Sequence, residues 1–104
     1  MSTKRTHPRD PSDLSTEAKR LYDEITADYD LSPAERQTLI GALVAADMAI
    51  ACEAVVARDG PVVTDRFGQT QRSPAAVMAR DLRREVVVTF AALGIVSKYA
   101  GDDR

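Results

Sequence analysis

Apolar positions recur with a helical period over three stretches of the chain, and the polar residues at their borders mark where each begins and ends. The longest is LSPAERQTLIGALVAADMAIACEAVVARDG, residues 31 to 60. Ser32 stands where an N-cap belongs, Pro33 has the fixed φ of a first helical residue, and Glu35 completes an S-x-x-E capping box. At the other end Arg58 suits the negative pole of a helix dipole, and Gly60 can take the left-handed conformation that releases the chain. The pattern predicts one helix from Pro33 to Arg58, roughly 40 Å long. On a helical projection Leu39, Leu43, Ala46, Ile50, Ala54 and Ala57 form one stripe, with Ile40, Val44, Met48, Ala51 and Val55 beside it. A third side carries Ala45, Ala49, Cys52 and Val56, and past the first turn the charges are Asp47, Glu53 and Arg58. So apolar a circumference belongs to a helix buried on several sides. A chain of 104 residues has few elements to bury it, so part of this surface is expected to meet another copy, through Leu43, Ala46, Ala49, Ile50 and Val56.

The shorter elements follow from the same signals. Ser15 caps STEAKRLYDEITADYD, which sets Ala18, Leu21, Tyr22, Ile25 and Tyr29 on one side of a helix of about four turns. The short link through Leu31 predicts an antiparallel helical hairpin with the long helix. After Gly60, Val62 to Thr64 favour a strand, Asp65 to Gly68 a turn with an exposed Arg66-Phe67-Gly68 tip, and Gln69 to Arg72 a returning strand. A lone two-stranded hairpin is marginal and needs a surface to pack on. Ser73-Pro74 then repeats the cap-then-proline opening, predicting a helix to about Leu93 that Gly94 ends, with Ile95 folded back onto Phe90. Its expected buried stripe is Ala75, Met78, Ala79, Leu82, Val86 and Leu93. The run Val86-Val87-Val88 reads alone as strand, but the capped start and glycine stop favour helix. The fold class is therefore mainly α: a helical hairpin with one long central helix, a small β-hairpin and a C-terminal helix, in an oligomer. Residues 1 to 14, polar with Pro8 and Pro11, read as a flexible basic arm, 15 to 96 as the folded domain, and 97 to 104 as a flexible tail.

Composition changes this picture little: 44% hydrophobic and 29% charged residues suit one ordinary globular domain. No uninterrupted run of eighteen apolar residues and no apolar leader is present, so an intracellular, cytoplasmic protein without a membrane partner is expected. Cys52 reads as a small buried hydrophobe, and His7 has no neighbouring His or Cys, so no metal, cofactor or Cys/His pair is expected. No G-x-x-x-x-G-K-[ST] loop or Ser/His/Asp set occurs, and Asp23-Glu24 reads as solvated charge, so an enzyme is not expected.

Charge distribution is more informative than the net charge of −2. Residues 21 to 57 hold seven acidic side chains against Arg36 alone, which should repel phosphate. The flanking segments are basic, so candidate DNA contacts are Lys4, Arg5, Arg9, Lys19 and Arg20 in the arm and first helix, and Arg66 and Arg72 in the hairpin. The N-terminal set is favoured, because Arg80 and Arg84 in the last helix have Asp81, Glu85 or Asp47 to hold them. Asp47 interrupts an apolar surface, so it is expected either to pair with Arg80, Arg83 or Arg84 or to face a central channel.

The order of these features resembles the short small subunits of phage terminases, the DNA-packaging machines of tailed phages. The resemblance lies in Leu31-Ser32-Pro33 opening the long helix, Gly60-Pro61-Val62-Val63 and Gly68 in the hairpin, Ser73-Pro74-Ala75 opening the last helix, and Leu93-Gly94-Ile95 closing it. It spans roughly residues 17 to 96 and rests on order and spacing; Tyr22 stands near where the family often has tryptophan, and VSKYAGDDR departs from its arginine-containing ending. The resemblance implies a non-enzymatic subunit, from a phage or prophage, that forms a homo-oligomeric ring, binds double-stranded viral DNA and delivers it to the large terminase subunit, which holds the ATPase and nuclease. The alternative is a helical assembly adaptor that does not bind DNA.

Overall fold

The computed structural model describes residues 10 to 95. The flexible arm and tail expected for the two ends lie outside the described residues over 1 to 9 and 96 to 104. Within 10 to 14 the expectation of an arm is corrected: Asp10 caps a 3-10 turn at Pro11–Asp13 by accepting from the Ser12 amide, and Leu14 is buried. Leu14 has apolar surface to hide and a core within reach, so the residues just before Ser15 join the fold.

Three helices and a two-stranded hairpin follow among the described residues: α1 Thr16–Asp28, α2 Pro33–Asp59, β1 Val62–Thr64, β2 Thr70–Arg72 and α3 Pro74–Leu93. The caps behave as their residue types dictate. Ser15 Oγ accepts from the Ala18 amide, and Ser32 and Glu35 exchange both bonds of the capping box, at 3.1 and 2.8 Å. At the end of α2, Gly60 has φ 91° and ψ 162°, an extended mirror conformation that glycine adopts without strain, in place of the left-handed helical one. Gly94 is left-handed, and Ile95 N–H donates to Phe90 O at 2.9 Å while Gly94 N–H reaches Ala91 O, closing a Schellman motif. These two bonds hold Ile95 against the core, and α3 stays helical through Val86-Val87-Val88.

α2 is the axis. α1 lies antiparallel to its first half, α3 returns along its length, and the core joins Leu14, Ala18, Ile25, Leu31, Leu39, Ile40, Leu43, Val86, Phe90 and Ile95. Every fully buried residue of α2 lies between Leu39 and Ala49. Leu43 and Ala49, expected between copies, are 1% and 0% exposed and belong to the subunit's own interior, because α1 and α3 reach them first. Ala49 of α2 and Ala79 of α3 are both buried, and such small side chains permit helices to approach closely. Met78, expected in the buried stripe of α3, is instead exposed, and Ala75, Leu82 and Leu93 are partly buried.

Two charges interrupt the apolar surface of α2, and each has a partner. Asp47 pairs with none of Arg80, Arg83 and Arg84. It accepts from the Ser15 amide at 3.0 Å and from the Ser15 hydroxyl at 2.8 Å, at the N-terminus of α1. A carboxylate there meets the positive pole of the α1 dipole and the amides a helix start leaves open. Glu53 holds Arg83 through two bonds at 2.9 and 2.8 Å, tying α2 to α3 beyond the reach of α1. By length and composition α2 is also apolar enough to cross a membrane, with an 18-residue window of mean hydropathy 2.1; the core helix of a helical domain passes the same test. Replacing Asp47 with Ala should lower stability by about 1–2 kcal/mol in urea unfolding, since it removes two bonds and leaves the α1 start without its charged acceptor. Asp47→Asn should lose less.

Candidate nucleic-acid interface

The β-hairpin projects from the far end of the α2–α3 pair. Val62 pairs with Arg72, Val63 with Gln71 and Thr64 with Thr70, and the Ser73 amide closes the base on Pro61 O at 2.8 Å. All six strand residues are exposed, so side-chain burial does not hold this ribbon. Its order comes from Asp65. One carboxylate oxygen accepts from the Phe67 amide at 2.8 Å and the Gln69 amide at 3.0 Å, and the other accepts from Gln71 Nε2 at 3.2 Å. The backbone adds Asp65 N–H to Gln69 O and Gly68 N–H to Asp65 O, with Gly68 at φ 82°. An aspartate at the first turn position closing a loop on its own amides is the Asx-type chemistry that the sequence suggests there. Those donors, the Gln69 amide first, hold the Asp65 carboxyl below the usual carboxylate range.

The seven basic residues expected to meet DNA divide into three groups. Lys4, Arg5 and Arg9 lie outside the described residues. Lys19 reaches Asp23 at 3.3 Å, and Arg20 is gripped by Glu17 and Glu24, which raises its pKa, Glu17 foremost. The spacing of Glu17, Lys19, Arg20, Asp23 and Glu24 along one helix contains these i,i+3 and i,i+4 pairs, so the structure leaves α1 with cations already neutralised. Arg66 and Arg72, in contrast, form no ion pair among the described residues, and Arg66 lies over the Phe67 ring at 5.3 Å from its centre. Among the described residues, then, the expected cations of α1 are paired and those of the hairpin are not. Arg36 and Arg84, not expected at the site, are likewise exposed without an ion pair among the described residues.

A second surface lies along α2 beyond Asp47, past the reach of α1. Ile50 is 51% and Met48 48% exposed, with Ala51, Ala54 and Ala57 exposed around them. Of the residues expected between copies, Ile50 is thus available, Ala46 and Val56 are half-buried, and Leu43 and Ala49 are withdrawn into the core. Below Ile50 a cleft of about 160 Å³ opens between the helices, floored by Leu21, Leu43 and Phe90 and rimmed by Glu17, Asp47 and Arg83. That is smaller than the ~300–1,000 Å³ of typical small-molecule pockets. Two larger depressions, about 430 Å³ beside the hairpin and 460 Å³ on α3 along Val77, Met78 and Leu82, lie open to solvent. Among the described residues no cluster of His, Cys, Asp and Glu is arranged for a metal, and Cys52 is a free, half-buried thiol.

Comparisons with protein-family models, curated proteins and solved structures found no match.

The depressed Asp65 pKa has a consequence for the tip. Its stabilisation is fully present above the carboxyl's unfolded value and is lost as pH falls through the lower folded one. Hydrogen exchange at the Phe67 and Gln69 amides, corrected for intrinsic pH dependence, should therefore speed up on acidification in this most acidic window, while Asp65→Ala should show fast exchange already at neutral pH.

Proposed function

We propose that this protein is a non-enzymatic small subunit of a phage-type terminase: it assembles into a ring of copies, binds double-stranded DNA, and hands that DNA to the large subunit in the host cytoplasm. The observation that carries the DNA reading is the hairpin, an ordered projection offering Arg66 and Arg72 without an acidic partner among the described residues. Phosphate contacts need cations whose charge is not already consumed, and a pre-ordered turn presents them at little entropic cost. The apolar flank of α2 around Met48, Ile50 and Ala54 supports assembly, since an exposed patch continuing a buried stripe is where a second copy hides surface. A second reading, an adaptor that assembles without touching DNA, is favoured by the pairing of Lys19 and Arg20 with acids of α1.

Salt decides between them. DNA affinity should fall steeply with salt, and Arg66→Ala with Arg72→Ala should weaken binding and flatten its slope, by up to about two per engaged subunit. Lys19→Ala with Arg20→Ala should do less. The reverse ranking would return the site to α1, a loss confined to deletion of residues 1 to 9 would move it to that segment, and no DNA binding by the wild type would leave the adaptor.

Assembly has its own test in light scattering. The wild type should exceed one chain in mass, and Ile50→Glu with Met48→Glu should reduce it to one chain without loss of helicity. Ala49→Arg should instead unfold the subunit, because its site has no exposed surface.

A further inference from the structure

The apex of the hairpin carries a large apolar side chain that the fold does not use. Phe67 is 77% exposed, more than any other large hydrophobic side chain among the described residues. Its backbone is nonetheless fixed, because the Phe67 amide donates to Asp65 and the next residue, Gly68, closes the turn. The Arg66 guanidinium lies over the ring, and Gly68 offers no side chain beside it, with open space where a Cβ would stand. An aromatic ring held at the end of an ordered ribbon, with cations at positions 66 and 72 and its nearest carboxylate tied down by three N–H donors, has the makings of a base-stacking element.

We infer that Phe67 stacks on a nucleobase, with Arg66 completing the stack and meeting the adjacent phosphate, so that the tip reads whether a base face can be exposed. The inference rests on the DNA-binding reading above and deepens it: Arg66 and Arg72 supply attraction to any DNA, and Phe67 supplies preference. A stacked pair hides its base faces, so the preferred site is one where a face comes free cheaply. Two sources share that chemistry, an unpaired base and a flexible pyrimidine–purine step that a wedge can open. The narrow Arg66-Phe67-Gly68 apex suits insertion at such a point, and of the groups there that could read base edges the Arg66 guanidinium lies over the ring and Gln71 Nε2 is held by Asp65.

The test uses the full chain and three DNA probes of equal length, each with 2-aminopurine at one position: a duplex carrying it within a TA step, a duplex without pyrimidine–purine steps near it, and a single strand. Wild type should change the fluorescence of the TA-step duplex or of the single strand more than that of the stiff duplex, and whichever responds identifies the source. Phe67→Ala should lose roughly tenfold in affinity for the responsive probe, with its fluorescence change abolished and its salt slope unchanged, because a ring neutralises no phosphate. Phe67→Trp should restore both. Arg66→Ala should instead reduce the slope. If Phe67→Ala binds every probe as wild type does, the stacking role is overturned while the DNA reading stands. If wild type binds no probe, both fall. If Phe67→Ala keeps its helicity but changes the oligomeric mass, the ring is a contact between copies, and the inference is overturned.

Discussion

A helix of 27 residues needs cover along its whole length; α3 runs beside much of it, but α1 reaches only the first half. At 1.5 Å per residue α2 extends roughly 40 Å, α3 about 30 Å and α1 about 20 Å. α1 starts opposite Asp47 and ends beside the Ser32 cap, so it spans the first half of α2 and nothing beyond. The rest of the architecture follows. The core gathers where three helices meet, around Ile25, Leu39, Leu43 and Phe90, and past Asp47 the fold thins to a two-helix arm tied by Glu53 and Arg83 and tipped by the hairpin. Apolar residues continue along α2 into that arm with less to cover them, which leaves Met48 and Ile50 exposed at the same time as Leu39 and Ile40 are sealed.

Asp47 sits where the two regimes join. A carboxylate in the middle of an apolar helix is costly unless its charge is met, and the α1 start meets it with the Ser15 amide, the Ser15 hydroxyl and a favourable dipole. The residue thereby fixes how far along α2 the first helix begins, because a shift of one turn would leave both the carboxylate and the helix start unsatisfied. Glu53, two turns further on, faces α3 and not α1. Its bidentate bond to Arg83 pulls its pKa below the usual range, and with both side chains half-exposed it contributes orientation more than energy. The two acids of α2 thus set the registers of two different neighbours.

Element borders were legible because caps are local chemistry: Ser15, Ser32 with Glu35, Ser73-Pro74 and Gly94 each act on backbone groups within a few residues. Asp47 was not, although the numbers were there. Ser15 precedes the turn at Leu31 and Ser32 by about as many residues as Asp47 follows it, so an antiparallel hairpin brings the two together. Opposite charge points to an arginine as the partner of a mid-helix carboxylate, whereas the donors that meet Asp47 are the amide and hydroxyl of a helix start. The division of α2 into covered and uncovered faces was equally hidden, because periodicity shows that a residue is apolar and not who covers it; Leu43 and Ile50 share one stripe and have opposite fates. At the hairpin the ribbon and exposed tip were readable from Asp65 to Gly68, while the pairing of Lys19 and Arg20 with acids of α1 required the side chains to be seen.

That pairing shapes how binding to a polyanion would have to work. The N-terminal set was favoured because the arginines of α3 have acidic neighbours, but Glu17, Asp23 and Glu24 sit on the same helical face as Lys19 and Arg20 and cancel much of their field in the same way. What remains at the hairpin is two arginines, and two phosphate contacts give one subunit weak affinity, with a logarithmic salt slope of about −2. A single copy would therefore hold DNA poorly at physiological salt. Copies joined through the uncovered flank of α2 would carry several hairpins at fixed spacing, and the second and later contacts would then form at high effective concentration. In this reading the incomplete cover of α2 and the modest charge of the hairpin are linked. The surface that the subunit cannot bury alone is what would bring together enough hairpins to make their small charge sufficient.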